Sequence, residues 1–138
     1  GIRDVAVTGV QTCALAILHI DLVVRELYSQ AFFGGQVSDA TKERVRKQLV
    51  KNIAAFAKLA KFSPFVAGDH FTLADCAAVF HLPIAASACK LVLEEDLFAD
   101  IPIKTYTQQW KDHPHMQKIQ ADRKANGELM ASLRAAKA

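Results

Sequence analysis

Near the start of the chain, Arg25, Tyr28, Phe32 and Phe33 set a cation, a phenol and two aromatic rings on or beside one helical face. Residues three and four apart are neighbours on a helix, so these groups act together. They make this face sticky enough to need a neighbour of its own, which plain packing against another domain would satisfy. No complete catalytic constellation accompanies them. His113 and His115 flank Pro114, and two histidines alone do not make a metal site; they read as cap and turn residues, with no metal expected. His81, in an apolar stretch, reads as a hydrogen-bonded core histidine. Cys76 and Cys89 read as small core side chains, since no base or cation stands nearby to depress a thiol pKa. Ser29 and Ser87 lack a base partner. No residue of the chain is assigned a catalytic role.

These groups need helices to hold them. Ile20, Val23, Val24, Leu27 and Ala31 recur at three- and four-residue steps and predict a helix from about residue 17 to 33. Asp21, Arg25, Tyr28, Ser29 and Phe32 lie on its other face. A helix with two such faces has two neighbours. Gly34-Gly35 ends it, because glycine accepts the left-handed conformation that helix C-termini favour. A second helix starts at Ser38 or Asp39 and runs to about Lys61, with Val45, Leu49, Ile53, Phe56 and Leu59 or Ala60 facing the core. Its other face carries Lys42, Arg44, Arg46, Lys47, Lys51, Lys58 and Lys61 against Glu43. Nucleic-acid binding would ask for stacking aromatics or a groove-reading helix as well. The face therefore reads as solvated, or as neutralised by the acidic stretch Glu94 to Asp100 or by a second subunit.

The segment Phe71-Thr72-Leu73-Ala74-Asp75 spells a helix N-terminus. Thr72 caps by accepting the Asp75 N–H, Asp75 reaches back to the Thr72 N–H, and Phe71 staples onto Cys76. The helix that follows, from Ala77 to Ala88, is apolar nearly all round, yet its apolar stretch is shorter than the ~20 residues of a membrane span. It reads as a buried core helix of a soluble protein, kinked at Pro83. Glu94 to Asp100 forms a short acidic helix or turn, and Pro102 starts a helix carrying Tyr106 and a core Trp110. His113-Pro114-His115 interrupts it, Met116 to Ala121 adds a turn or two, and residues 125–138 form a polar, frayed helical tail. The expectation is an all-α, right-handed bundle of five to six helices.

Here the chain resembles the C-terminal domain of a cytosolic glutathione S-transferase of bacterial type. Phe65 to Ala78 carries the resemblance, which extends over about residues 18–124. It implies that Thr72 and Asp75 are structural folding residues. It also implies that the first helix lies between the bundle and the active-site cleft, which makes Arg25, Tyr28, Phe32 and Phe33 candidates for the substrate pocket or the dimer contact. The family adds the thiolate of glutathione to an electrophilic carbon, and the residue that activates the thiol belongs to an N-terminal thioredoxin-like domain. No βαβ pattern occurs in these 138 residues. The resemblance thus implies a chain inactive alone. Its implied partners are a missing thioredoxin-like domain, a small electrophile, glutathione as co-substrate rather than a cofactor held by this domain, and a second copy in a homodimer. Neither nucleic acid nor a membrane is expected as a partner. A non-enzymatic interaction module of the same fold is the main alternative, and an unrelated helical regulator domain the weaker one.

With 51% apolar and 22% charged residues, the composition is that of a globular domain rather than a disordered chain. Three cysteines without metal or redox spacing point to a reducing compartment, hence the cytoplasm. Residues 1–16 stand apart: they show no helical period, and Arg3 to Leu15 resembles the translated read-through of a sequencing adaptor. The segment is expected to be non-native, with a genuine N-terminal strand as the alternative, and residues 17–124 to form the domain.

Overall fold

The computed structural model describes residues 10–135, and among these it contains helices and no strand. Helix α1 covers residues 10–32, α2 Asp39–Leu59, α3 Leu73–Val92, α4 Ile103–Gln108 and α5 Pro114–Ala135. The chain divides into two compact units, one through Tyr106 and one from Thr107 onward.

Helix α1 begins earlier than the sequence period suggested. Residues 10–14 are helical, and Thr12 and Ala16 are fully buried. That part of the segment set apart as residues 1–16 is therefore helix rather than irregular chain or strand; residues 1–9 lie outside the described residues. The winding of α1 is uneven, which is why a single 3.6-residue period reads it poorly. Leu15–Asp21 is π-helical, with the Leu22 N–H reaching the Ile17 carbonyl. Arg25–Leu27 tightens into a 3₁₀ turn. Asn52 of α2 donates its side-chain amide to the His19 carbonyl at 2.6 Å, a partner from outside the helix. α1 packs on both α2 and α3, so it is the shared helix of this unit. At its end Gly34 takes φ +72°, and the Gly35 N–H closes on the Ser29 carbonyl at 2.8 Å.

Helix α2 starts where expected and ends at Leu59, two residues short of Lys61: the Ser38 hydroxyl accepts the Thr41 N–H as the cap, and Val45, Leu49, Ile53 and Phe56 are buried. Phe56, Phe62 and Tyr106 form an edge-to-face aromatic ladder with centroids 6.1 and 5.1 Å apart. The loop between α2 and α3 folds back on itself through Lys61 N–H to Val66 carbonyl and a reciprocal pair between Phe65 and Gly68.

Helix α3 carries a complete capping box. The Thr72 hydroxyl accepts the Ala74 N–H at 3.2 Å, and Asp75 Oδ2 accepts the Thr72 N–H at 2.8 Å. The expected staple is corrected: Phe71 and Cys76 are both exposed, and the Phe71 ring meets Phe65 edge-to-face at 5.9 Å. α3 runs through Pro83 without a break and, at 20 residues, is by length and composition alone long enough to cross a membrane, so the shorter span read from sequence is also corrected. Ala74, Ala77, Ala78, Leu82, Ala85, Ala88, Cys89 and Val92 are nonetheless buried.

In the second unit, Trp110 is half-buried rather than core. It lies beyond the end of α4, edge-on to His113 at 6.3 Å. Helix α5 starts at Pro114, a residue preorganised for the first helical position, and continues to Ala135 where one or two turns and a frayed tail were expected. Residues 136–138 lie outside the described residues.

Candidate functional site

Among the described residues, Asp75 is the better satisfied of two buried carboxylates. It is 1% exposed. Besides the Thr72 N–H, it accepts the Val66 N–H at 2.9 Å, the Tyr106 hydroxyl at 2.8 Å and the Thr72 hydroxyl at 3.2 Å. A buried charge is tolerable only when so bonded. One residue thus ties the helix cap, the preceding loop and α4 together. Its oxygens are spent on structure, which leaves them no chemistry.

The second buried carboxylate is Asp21, and it organises the face singled out by sequence. Its side chain is 3% exposed. Arg25 Nε donates to Oδ2 at 2.7 Å and the Tyr28 hydroxyl to Oδ1 at 3.1 Å. From α3, His81 Nδ1 stands 3.1 Å from the same Oδ1. His81 is half-buried and faces a carboxylate, so it belongs to this cluster rather than to the apolar core. Phe32 meets Tyr28 edge-to-face at 5.3 Å. The structure therefore brings Arg25, Tyr28 and Phe32 together, while Phe33, at the helix end, is 72% exposed. The sequence reading placed Asp21 on this face without giving it a role. Its spacing to Arg25 (four residues) and to Tyr28 (seven) was the available signal; the approach of His81 from α3 left none.

Electrostatics fix the protonation of two groups here. Burial, and then the negative charge of Asp21, pushes the Tyr28 phenol well above its ordinary range. The phenol donates a hydrogen bond and resists giving up its proton. Burial pushes the Cys89 thiol up to about 12, with Asp96 and Glu95 adding to it. Cys89 is thus an inert core thiol, whereas Cys76, read as core from sequence, is exposed.

The basic face of α2 is partly neutralised within the chain. Both terminal nitrogens of Arg44 grip the Glu26 carboxylate. Arg46 Nε bonds both oxygens of Glu95 at 2.7 and 3.0 Å, which realises the pairing expected with the acidic stretch. Lys47 pairs with Glu43 at 3.2 Å. His113 and His115 lie ring to ring at 5.4 Å and exposed. Among the described residues, no group of three or more metal-ligating side chains is assembled.

Comparison with known proteins places this architecture. A family model described as glutathione S-transferase, C-terminal domain, matches residues 39–115, the stretch that holds α2, the loop, the capped α3 and the Asp75 hub. A glutathione S-transferase of Pseudomonas putida is 37% identical over 110 residues, which cover 79% of this chain and 50% of that relative. The chain therefore spans about half the length of the curated relative it matches.

Proposed function

The chain belongs to the family of the glutathione S-transferase C-terminal domain, and from that premise we propose that it is the electrophile-binding helical half of a glutathione transferase. In this reading the thiol is activated by a thioredoxin-like domain outside these 138 residues. The half-length match to the Pseudomonas putida enzyme supports that division. The reaction is attack of the glutathione thiolate on an electrophilic carbon, forming the C–S bond as the leaving group departs with its electron pair. The chain's own contribution is to hold the electrophile. The observation that carries this is the α1 face, where Tyr28 and Phe32 pair edge-to-face beside the exposed Phe33. Aromatic edges and faces of this kind give a flat ligand surface to stack on. Tyr28 does not suit thiol activation, because its hydroxyl is already donated to Asp21 and holds its proton tightly. Cys13, Cys76 and Cys89 are all free thiols, which supports a reducing compartment such as the cytoplasm. A homodimer, with glutathione as co-substrate, completes the proposal.

The test joins the leading half of the Pseudomonas putida relative ahead of residue 10, so that α1 stays whole. Conjugation of reduced glutathione to chlorodinitrobenzene is then measured for the chain alone, the leading half alone and the fusion. The chain alone should match the uncatalysed rate, and the fusion should exceed the leading half about tenfold or more, as positioning allows. A folded fusion no faster than the leading half alone would hand the lead to a non-enzymatic interaction module.

A further inference from the structure

A guanidinium has two edges that can each take a carboxylate bidentately, one through Nε and one through its two terminal nitrogens. In Arg25 the Nε side is pinned by the buried Asp21 at 2.7 Å. The terminal nitrogens have no hydrogen-bond partner among the described residues, and the side chain is 55% exposed. Arg25 is therefore held by its inner edge with its outer fork open. Arg44 shows the contrast one helix away, since its terminal nitrogens are spent on Glu26. The same Asp21 carboxylate that holds Arg25 also accepts the Tyr28 hydroxyl, and the Tyr28 ring pairs edge-to-face with Phe32. Asp21 itself does not repel an incoming anion strongly, because it is out of solvent and faced by Arg25, the Tyr28 hydroxyl and His81.

We propose that Arg25 is a carboxylate-binding residue, oriented by Asp21, that makes the α1 face selective for flat aromatic electrophiles bearing a carboxylate. The inference deepens the transferase reading and rests on it for its place in a reaction. The binding itself can be measured without any catalysis. Arg25 would supply two parallel N–H donors to the carboxylate while the ring lies against Tyr28 and Phe32. Asp21 acts as a positioning residue, removing the swivel that would cost the fork its geometry.

Binding of 4-nitrobenzoate and of the neutral 4-nitrobenzamide to the 138-residue chain is compared by calorimetry or ligand-observed NMR. The benzoate should bind about tenfold tighter, the range expected for a charge-assisted bidentate pair. Arg25→Gln should abolish that preference. Arg25→Lys keeps the charge without the fork and should lose most of it. Equal binding of the two probes, or a preference that survives in Arg25→Gln, overturns the proposal, and full retention in Arg25→Lys overturns the role of orientation. Glutathione also carries carboxylates, so a second arm titrates it alone. Glutathione binding that vanishes in Arg25→Gln, with no benzoate preference, would assign the fork to the thiol substrate and overturn the aromatic assignment. Conjugation by the fused protein is scored separately, so a failed transferase reading leaves the binding result intact.

Discussion

Replacing Asp75 by alanine removes the acceptor for four donors, of which the Thr72 hydroxyl is part-buried and free to turn elsewhere and three bear the cost. The Val66 N–H sits in a fully buried residue, the Tyr106 hydroxyl is buried, and the Thr72 N–H opens α3. A buried donor left without a partner costs about 1–3 kcal/mol. Three would sum to about 3–9 kcal/mol, and the lower half of that range follows if water reaches the Thr72 end. We expect a loss of about 4 kcal/mol, a large share of the roughly 5–15 kcal/mol that a folded domain has. Asp75→Asn keeps one oxygen but turns an NH₂ toward other donors, and should cost about 2 kcal/mol. Tyr106→Phe leaves the carboxylate its remaining donors and should cost about 1 kcal/mol. Urea unfolding followed by far-UV circular dichroism measures all three, with unchanged slopes required for comparison. The hub account is wrong if Asp75→Ala lies within about 0.5 kcal/mol of the parent, or if Tyr106→Phe costs as much as Asp75→Ala.

Other consequences follow from burial and charge. Cys76 is exposed and Cys89 buried with its thiol pushed up to about 12, so a thiol reagent at neutral pH should label Cys76 quickly and Cys89 only on unfolding. Peptide mapping by mass spectrometry reads this directly, and fast labelling of Cys89 would contradict its placement. Glu26 and Glu95 are held below their ordinary value of 4.5 by hydrogen bonds from Arg44 and Arg46. Their stabilisation is full above that value and fades as pH falls through the lowered one. The melting temperature should therefore fall below about pH 4.5, and Arg46→Gln should flatten part of that slope; an identical slope would remove the pair from the account. Gly68 has φ +133°, and a Cβ there would meet only Lys61 at ordinary contact distance. Gly68→Ala should thus cost about 1–2 kcal/mol through backbone conformation alone; a neutral result in urea would count against that conformation.

Local signals were the legible ones. The start and buried face of α2 followed from Ser38 and an unbroken 3.6-residue period, and the α3 box followed from Thr72 and Asp75 being three residues apart. What escaped depended on distant partners. Asp21 is buried with Arg25, the Tyr28 hydroxyl and His81 around its carboxylate, and one of those arrives from α3. Helix α1 already runs through residues 10–14, where no period was visible, and within the predicted span its winding changes to π and then to 3₁₀. Helix α5 is exposed along nearly its whole length, so no apolar stripe marks its extent. Phe71 and Trp110 are rings that the sequence assigned to a staple and a core, and each instead meets a neighbouring ring at the surface or partway in.

The central claim is that this helical half holds the electrophile and leaves glutathione to the other half. Steady-state kinetics of the fused protein with Phe32→Ala, varying each substrate in turn, tests it most directly. The account predicts a KM for chlorodinitrobenzene raised about tenfold and a KM for glutathione unchanged within about twofold. A variant whose two KM values both stay at the parent level, or whose glutathione KM alone rises, would contradict it.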